Sequence, residues 1–331
     1  MNPKRCDEYD YINFLVAAQK SYSCLEASRV QPIQTHAPAH DAITRCLHSM
    51  NPDNDALWQE AEPMLEKNKG LLVLDDSTLD KPYAKQIPLV YRHWSGKHHD
   101  IVKGINLLTL LWTDGDKHVP CDHRIYDKAH DNLNKNEHFA SLLKVAHARG
   151  FNPDYVCFDG WYSSLENLKL IRDLKWHWLT RLKSNRLVNP DDTGNVPIAR
   201  LAINETGCVV HLMGYGFVKV FRTIATNGDA EHWASSNLNM TELERVATAE
   251  KTWAIENYHR GLKQFCGVEK CQARSATAQR NHIAMALRAF LRLETYSYTT
   301  GYSWFEAKMQ IIRDAIRQYL LSPTYNLTST A

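Results

Sequence analysis

Two short apolar runs in this chain each end in aspartate. Leu71-Leu72-Val73-Leu74 leads into Asp75-Asp76-Ser77, and Tyr155-Val156-Cys157-Phe158 leads into Asp159-Gly160. Continuous apolar runs of this length read as strands buried on both faces. The carboxyl ends of such strands are where α/β sheets build their sites. Paired in parallel, the two strands would bring their terminal carboxylates within a few ångströms. Like charges that close are costly unless a cation lies between them. Carboxylate oxygens suit Mg²⁺ or Mn²⁺, hard ions that keep waters and accept phosphate oxygens. A third acid, Glu256, sits in Trp253-Ala254-Ile255-Glu256-Asn257-Tyr258, ahead of Arg260 and Lys263. Lys263 follows Glu256 by close to two helical turns, so on a helix the two point the same way. Such a set supports in-line displacement at phosphorus with two metal ions. Taken singly, an acid at a strand end is most often a cap or turn residue. The chemistry is carried by the three together.

Around these acids the pattern alternates between elements. Residues 8–30 and 40–49 read as helices, with Tyr11, Phe14, Leu15, Tyr22 and Leu25 near helical spacing. Asn51-Pro52-Asp53 reads as a turn, with Asp53 or Asn54 as a helix cap, and Lys67–Gly70 as a boundary. Ile101–Trp112 and Val119–Tyr126 read as strands joined at Thr113-Asp114-Gly115-Asp116, a hairpin signal. His138–Arg149 is an amphipathic helix stopped by Gly150, and Ser164–Asp173 a helix capped by Ser163 or Ser164. From Trp176 to Trp233 the chain is strand-like. Helical periodicity returns over Thr241–Gln264 and from Ile283 to Leu320, with a break at Thr299-Thr300-Gly301. The order predicts an α/β fold, a mixed sheet with helices packed on it.

Composition narrows the class. The 331 residues are 44% hydrophobic and 23% charged, enough to bury a sizeable core and unlike disordered or collagen-like chains. No apolar stretch is long enough to span a bilayer. The N-terminus lacks the apolar core of a signal peptide, so a cytoplasmic, reducing setting is expected. The eight cysteines form no dense framework, and Cys266 and Cys271 lack a second pair at zinc-finger spacing. His36 and His40 are separated by Pro38, and no H-E-x-x-H occurs, so zinc is not expected. Net charge is only +2, but residues 253–292 hold seven Lys or Arg against two acids. That stripe fits a phosphate-contacting face, with a solvated helix face as the alternative.

The segments LVLDDSTLDKPYA, YRHWSGKHHDIVKGINLLTLLWTDG, VCFDGWYSSLENLKLI, WLTRLKSNR and WAIENYHRGLKQFCGVEKCQARSATAQRNH resemble the DDE-type insertion-sequence transposases of the YREK-signature kind. The resemblance runs from about Leu71 to His282. It implies a ribonuclease H-like core over 69–290, with a β-rich insertion at about 184–232. An N-terminal helical domain over 1–68 and C-terminal helices over 291–331 complete the layout. It makes Asp75 the first catalytic and metal-binding acid, Asp159 the second and Glu256 the third, with Asp76 as the rival for the first place. Lys263 matches the signature lysine. Ala249 and Thr252 stand where the tyrosine and arginine would be, and Trp253, Lys251 or Arg260 are the residues that could substitute. The resemblance further implies two Mg²⁺ (or Mn²⁺) ions. The partner would be double-stranded DNA, both terminal inverted repeats and target, with a homodimer on DNA and the nucleoid as its place of action. Arg181, Lys183, Arg186, Arg260, Lys263, Arg274 and Arg280 are the expected DNA contacts, with His282 grouped beside them. Lys97, His98, His99 and Lys103 are open between DNA contact and a polar strand face. Trp161 and Tyr162 are open between base stacking and core. Two rival functions stand: a ribonuclease H-like nuclease without strand transfer, and a non-catalytic DNA-binding regulator derived from a transposase.

Overall fold

The computed structural model describes residues 6–32, 37–50, 54–95, 100–224 and 228–324. Helices α1 (Glu8–Ala17), α2 (Cys24–Arg29), α3 (His40–Ser49) and α4 (Asp55–Ala61) come first. Strands β1 (Leu71–Asp80), β2 (Tyr91–Ser95), β3 (Asp100–Thr113) and β4 (Val119–Tyr126) follow. Then come α5 (Lys135–Ala148), β5 (Tyr155–Phe158), α6 (Leu165–Asp173) and β6 (Trp178–Leu182). Five further strands are β7 (Leu187–Asn189), β8 (Val196–Pro197), β9 (Cys208–Leu212), β10 (Gly216–Ile224) and β11 (Ala230–Ser235). The chain closes with α7 (Glu242–Thr252), α8 (Ala254–Phe265), α9 (Ala276–Thr300) and α10 (Trp304–Leu321).

These elements gather into two units. One takes residues 54–85 and 89–259; the other takes 1–53, 86–88 and 260–331. The first holds an eleven-stranded sheet in the order β2-β3-β1-β5-β6-β11-β10-β9-β7-β8, with β4 paired to β3. β1 runs parallel to β5, and β5 parallel to β6, while the remaining pairs are antiparallel. The apolar runs explain the centre: Leu71 to Leu74 and Tyr155 to Phe158 are all buried. Helix α5 packs on β3, β4 and α6, and α7 lies against β1.

The other unit is helical. Helix α9 is buried along most of its length and packs against α1, α3 and α10. Its core is tied by polar contacts as well as apolar ones. His282 Nε2 donates to the Gly267 carbonyl (3.0 Å), so Nδ1 accepts from the Tyr11 hydroxyl (2.9 Å). Asn281 donates to the carbonyls of Leu47 and Met50. Residues 8–30 do not form one helix. The Ala18 backbone turns extended, and the Ser23 side chain accepts from the Glu26 amide to start α2 afresh. Thr241–Gln264, which the sequence leaves open between one helix and two, is two, divided at Trp253. The turn at 51–53, with the cap expected of Asp53, lies outside the described residues. Asn54 does occupy the cap position of α4, but its side-chain amide donates to Asp122 and to the His123 carbonyl instead of capping the helix.

Candidate active site

The parallel ladder between β1 and β5 ends at Leu74↔Phe158. Asp75 and Asp159 are therefore the residues that follow the last paired rung of two neighbouring strands. The strand does not stop at Leu74, as its apolar run implied. β1 continues to Asp80 because β3 pairs with it throughout, from Leu71↔Thr113 to Asp80↔Gly104. Beyond Leu74 it is half-buried, which is why polar residues occupy positions 75 to 78. After Asp159 the chain passes close to β6. A Cβ on Gly160 would stand 2.7 Å from the Arg181 carbonyl oxygen, so only glycine fits there without a shift.

Glu256 enters from the first turn of α8. Asp75, Asp159 and Glu256 line one cavity of about 130 Å³ together with Arg181, Trp233 and Trp253. Asp159 and Glu256 are exposed, and the Asp75 side chain is 24% exposed. Burial pushes the Asp75 carboxyl well above the usual carboxylate range, and the charges of Asp76, Glu256 and Asp159 push the same way. Burial and neighbouring like charge thus act in the same direction on this carboxyl. His259, one turn beyond Glu256, is buried with Nδ1 3.9 Å from Asp75 Oδ2. Sequence reasoning missed it, although its spacing from Glu256 places both on adjoining turns of one helix face.

Asp76 faces the other way, as strand alternation requires. Its carboxylate accepts from Asn106 Nδ2 (2.5 Å), Lys135 Nζ (2.8 Å) and the Tyr162 hydroxyl. Burial alone would raise its pKa, but Lys135, Asn106 and Tyr162 outweigh that and hold it below the ordinary value. Of the two adjacent aspartates, Asp75 is thus the one in the cavity with Asp159 and Glu256.

Three oxygen donors of this kind suit a hard divalent ion, and their mutual repulsion is what such an ion relieves. Among the described residues no three His, Cys, Asp or Glu side chains already stand at ligating positions. The donor set fits in chemistry, and the side chains would have to close on the ion.

Two family comparisons meet this geometry. The DDE superfamily endonuclease family matches residues 13–202. The archaeal transposase family ISC1217 matches residues 130–303. The chain belongs to the DDE superfamily. Among solved structures, this DDE-superfamily chain is similar to the piggyBac transposase in its synaptic complex with hairpin DNA. The TM-score is 0.51 at 12% identity, covering 96% of this chain and 73% of that one. The Mos1 strand transfer complex aligns with a TM-score of 0.21 at 9% identity, covering 54% of this chain and 58% of that one. The Drosophila P element transposase strand transfer complex aligns at 0.26 and 11% identity, covering 98% and 66%. No curated protein matches in sequence. The ribonuclease H-like fold expected from the resemblance, a mixed sheet flanked by helices, is the one observed.

The other expected residues of this DDE-superfamily chain divide. Arg181 lines the acidic cavity, with its guanidinium on Glu231 (2.8 Å) and 5.5 Å from the Trp233 ring centroid. Lys183 and Lys103 are exposed; Arg186 is half-buried, and burial lowers its pKa against the pull of Glu166. Arg260, Lys263, Arg274 and Arg280 belong to the helical unit. There Lys263 pairs with Glu269 at 3.2 Å, Arg260 and Arg274 are exposed, and Arg280 is half-buried. His282 was grouped with DNA contacts and is instead core, because Tyr11 and the Gly267 carbonyl satisfy both ring nitrogens. Trp161 and Tyr162 separate. Tyr162 is buried and stacks on Phe139, whereas Trp161 is half-exposed. At the signature places, Thr252 lines the cavity and donates its hydroxyl to the Ala249 carbonyl. Lys97, His98 and His99 lie outside the described residues. No described helix is long and apolar enough to cross a membrane.

Proposed function

We propose that this chain is a DNA transposase that cuts phosphodiesters at the ends of its element and joins the freed 3′-ends to target DNA. Asp75, Asp159 and Glu256 would be its catalytic acids. The observation that carries the reading is that these three, widely separated in sequence, line one cavity. Their oxygens would hold two Mg²⁺ or Mn²⁺ ions, Asp75 and Asp159 from the sheet and Glu256 from α8. Such a pair of ions supplies activation of the attacking water or 3′-hydroxyl and stabilisation of the leaving oxygen. The protein contributes position and charge. The β1–β5 ladder would bring the chain to the point where Asp75 and Asp159 follow its last rung, and the first turn of α8, a favourable place for an anion, would present Glu256.

Arg181, anchored by Glu231 and Trp233 at the cavity edge, would meet a phosphate of the bound strand. Lys183, Arg186, Arg260, Lys263, Arg274 and Arg280 would extend the backbone contacts to terminal repeats and target. The active form on DNA would be a homodimer, since joining requires two ends at once.

The experiment is incubation with Mn²⁺ or Mg²⁺ and the DNA flanking the gene, with nicks mapped to the nucleotide. Metal-dependent nicks at the element ends, lost in Asp159→Ala and Glu256→Ala, support the reading. A strand-transfer assay with pre-cleaved ends separates a transposase from a nuclease that never joins. Unchanged biological activity in both variants would leave a non-catalytic regulator as the better account.

A further inference from the structure

We propose that Asp76 is a positioning residue, which ties the turn carrying Asp159 to the strand carrying Asp75. This rests on the reading of Asp75 and Asp159 as metal-binding acids, and it deepens that reading. The β1–β5 ladder stops at Leu74↔Phe158, so the ladder itself does not hold Asp159. Asp159 precedes a single 3₁₀ turn, Gly160–Tyr162, and its side chain makes no capping bond to that turn.

Both aromatic residues of the turn are instead tied to Asp76. The Tyr162 hydroxyl donates to Asp76 Oδ1. Lys135 Nζ donates to Asp76 Oδ2 (2.8 Å) and lies 5.5 Å from the centroid of the Trp161 ring. Asn106 on β3 supplies a further donor to Asp76. Tyr162 is itself immobilised. Its ring stacks on Phe139 at 5.2 Å and 17°, and its carbonyl accepts from Asn167 Nδ2 (2.9 Å). The two residues after Leu74 therefore divide the work: Asp75 faces the cavity, and Asp76 grips the neighbouring turn from behind. A carboxylate suits this task because it only accepts, and three donors converge on it. Asparagine would turn its own donor toward Asn106 and Lys135.

The test uses the full chain and Mn²⁺ alone as probe, with free ion measured by electron paramagnetic resonance. Tyr162→Phe and Asp76→Asn are expected to weaken Mn²⁺ binding about tenfold or more, and Lys135→Gln less, as for residues that orient metal ligands. The Mn²⁺ concentration for half-maximal nicking should rise by the same factor, with the rate at saturating Mn²⁺ changed less. Circular dichroism and thermal unfolding check that each variant folds; if Asp76→Asn does not, Tyr162→Phe and Lys135→Gln decide. Unaltered Mn²⁺ binding in folded Tyr162→Phe and Lys135→Gln, with binding lost in Asp159→Asn, overturns the tether alone. Undiminished Mn²⁺ binding in Asp159→Asn overturns the reading beneath it.

Discussion

Asp75 and Asp76 are neighbours on one strand and sit in opposite electrostatic surroundings. Burial and the charge of Asp76 push Asp75 up, while Lys135, Asn106 and Tyr162 hold Asp76 down against its burial. Asp75→Asn should therefore stabilise the metal-free protein while abolishing nicking. A gain on the order of 1 kcal/mol corresponds to about 1–2 °C in Tm for a chain of this size. Thermal unfolding in chelator checks it, and a fall in Tm would contradict it.

The same shift fixes a pH dependence. A carboxyl with a raised folded pKa keeps its proton in the folded state above the ordinary value of 3.8, where the unfolded chain has lost it. The folded state then binds more protons, so the Asp75 contribution to stability declines as pH rises from that value. Asp76 works the other way, and its contribution is lost as pH falls through its lowered pKa. Tm measured against pH without metal should show the decline with rising pH, and Asp75→Asn should flatten it. The stabilisation by added Mn²⁺ should grow over the same range, because the ion displaces that proton.

Gly160→Ala places a methyl group 2.7 Å from the Arg181 carbonyl oxygen. The backbone of one strand end must then move. A cost of about 1–3 kcal/mol is expected, with nicking reduced more than overall fold content. Chemical denaturation and a nicking assay on the same preparation check both parts.

In the helical unit Lys308 is the residue to remove. Its ammonium donates to the carbonyls of Leu15 and Ala18, near the end of α1, and of Phe265, which ends α8. Those are helix-end acceptors with no intrahelical donor. Lys308→Met should cost about 2–3 kcal/mol, the scale of charged hydrogen bonds left unmade. Denaturant unfolding monitored at the tryptophans is the measurement.

Arg181→Met leaves β6 intact, since the side chain is outside the strand pairing and half-exposed. DNA affinity should fall uniformly across sequences, and the salt slope should drop by about 1. A loss confined to one sequence would mean base reading instead.

Local signals made much of this architecture legible. β5 is delimited by its own apolar residues, and the β3–β4 hairpin by Asp114-Gly115. The two apolar runs are the buried rungs of the β1–β5 ladder, and Asp75 and Asp159 follow its last pair. What stayed hidden depends on partners far along the chain. The extension of β1 to Asp80 and the strand β2 exist through pairing with β3, which their mixed composition does not announce. Asp76 looked like a rival to Asp75 because Lys135 and Tyr162, its partners, are 59 and 86 residues away. His282 reads as a DNA contact in sequence because Tyr11, its partner in the core, lies 271 residues upstream.

The strands after β6 do not hang from the core by a hinge. β11 returns to pair with β6, and β10, β9 and β7 continue outward from it in register. Anything gripped at that outer rim pulls on a continuous plank of backbone whose inner end carries Phe158 and the acid after it. In the proposed role, a pull at that rim would reach Asp159 through paired strands and not through a swinging arm.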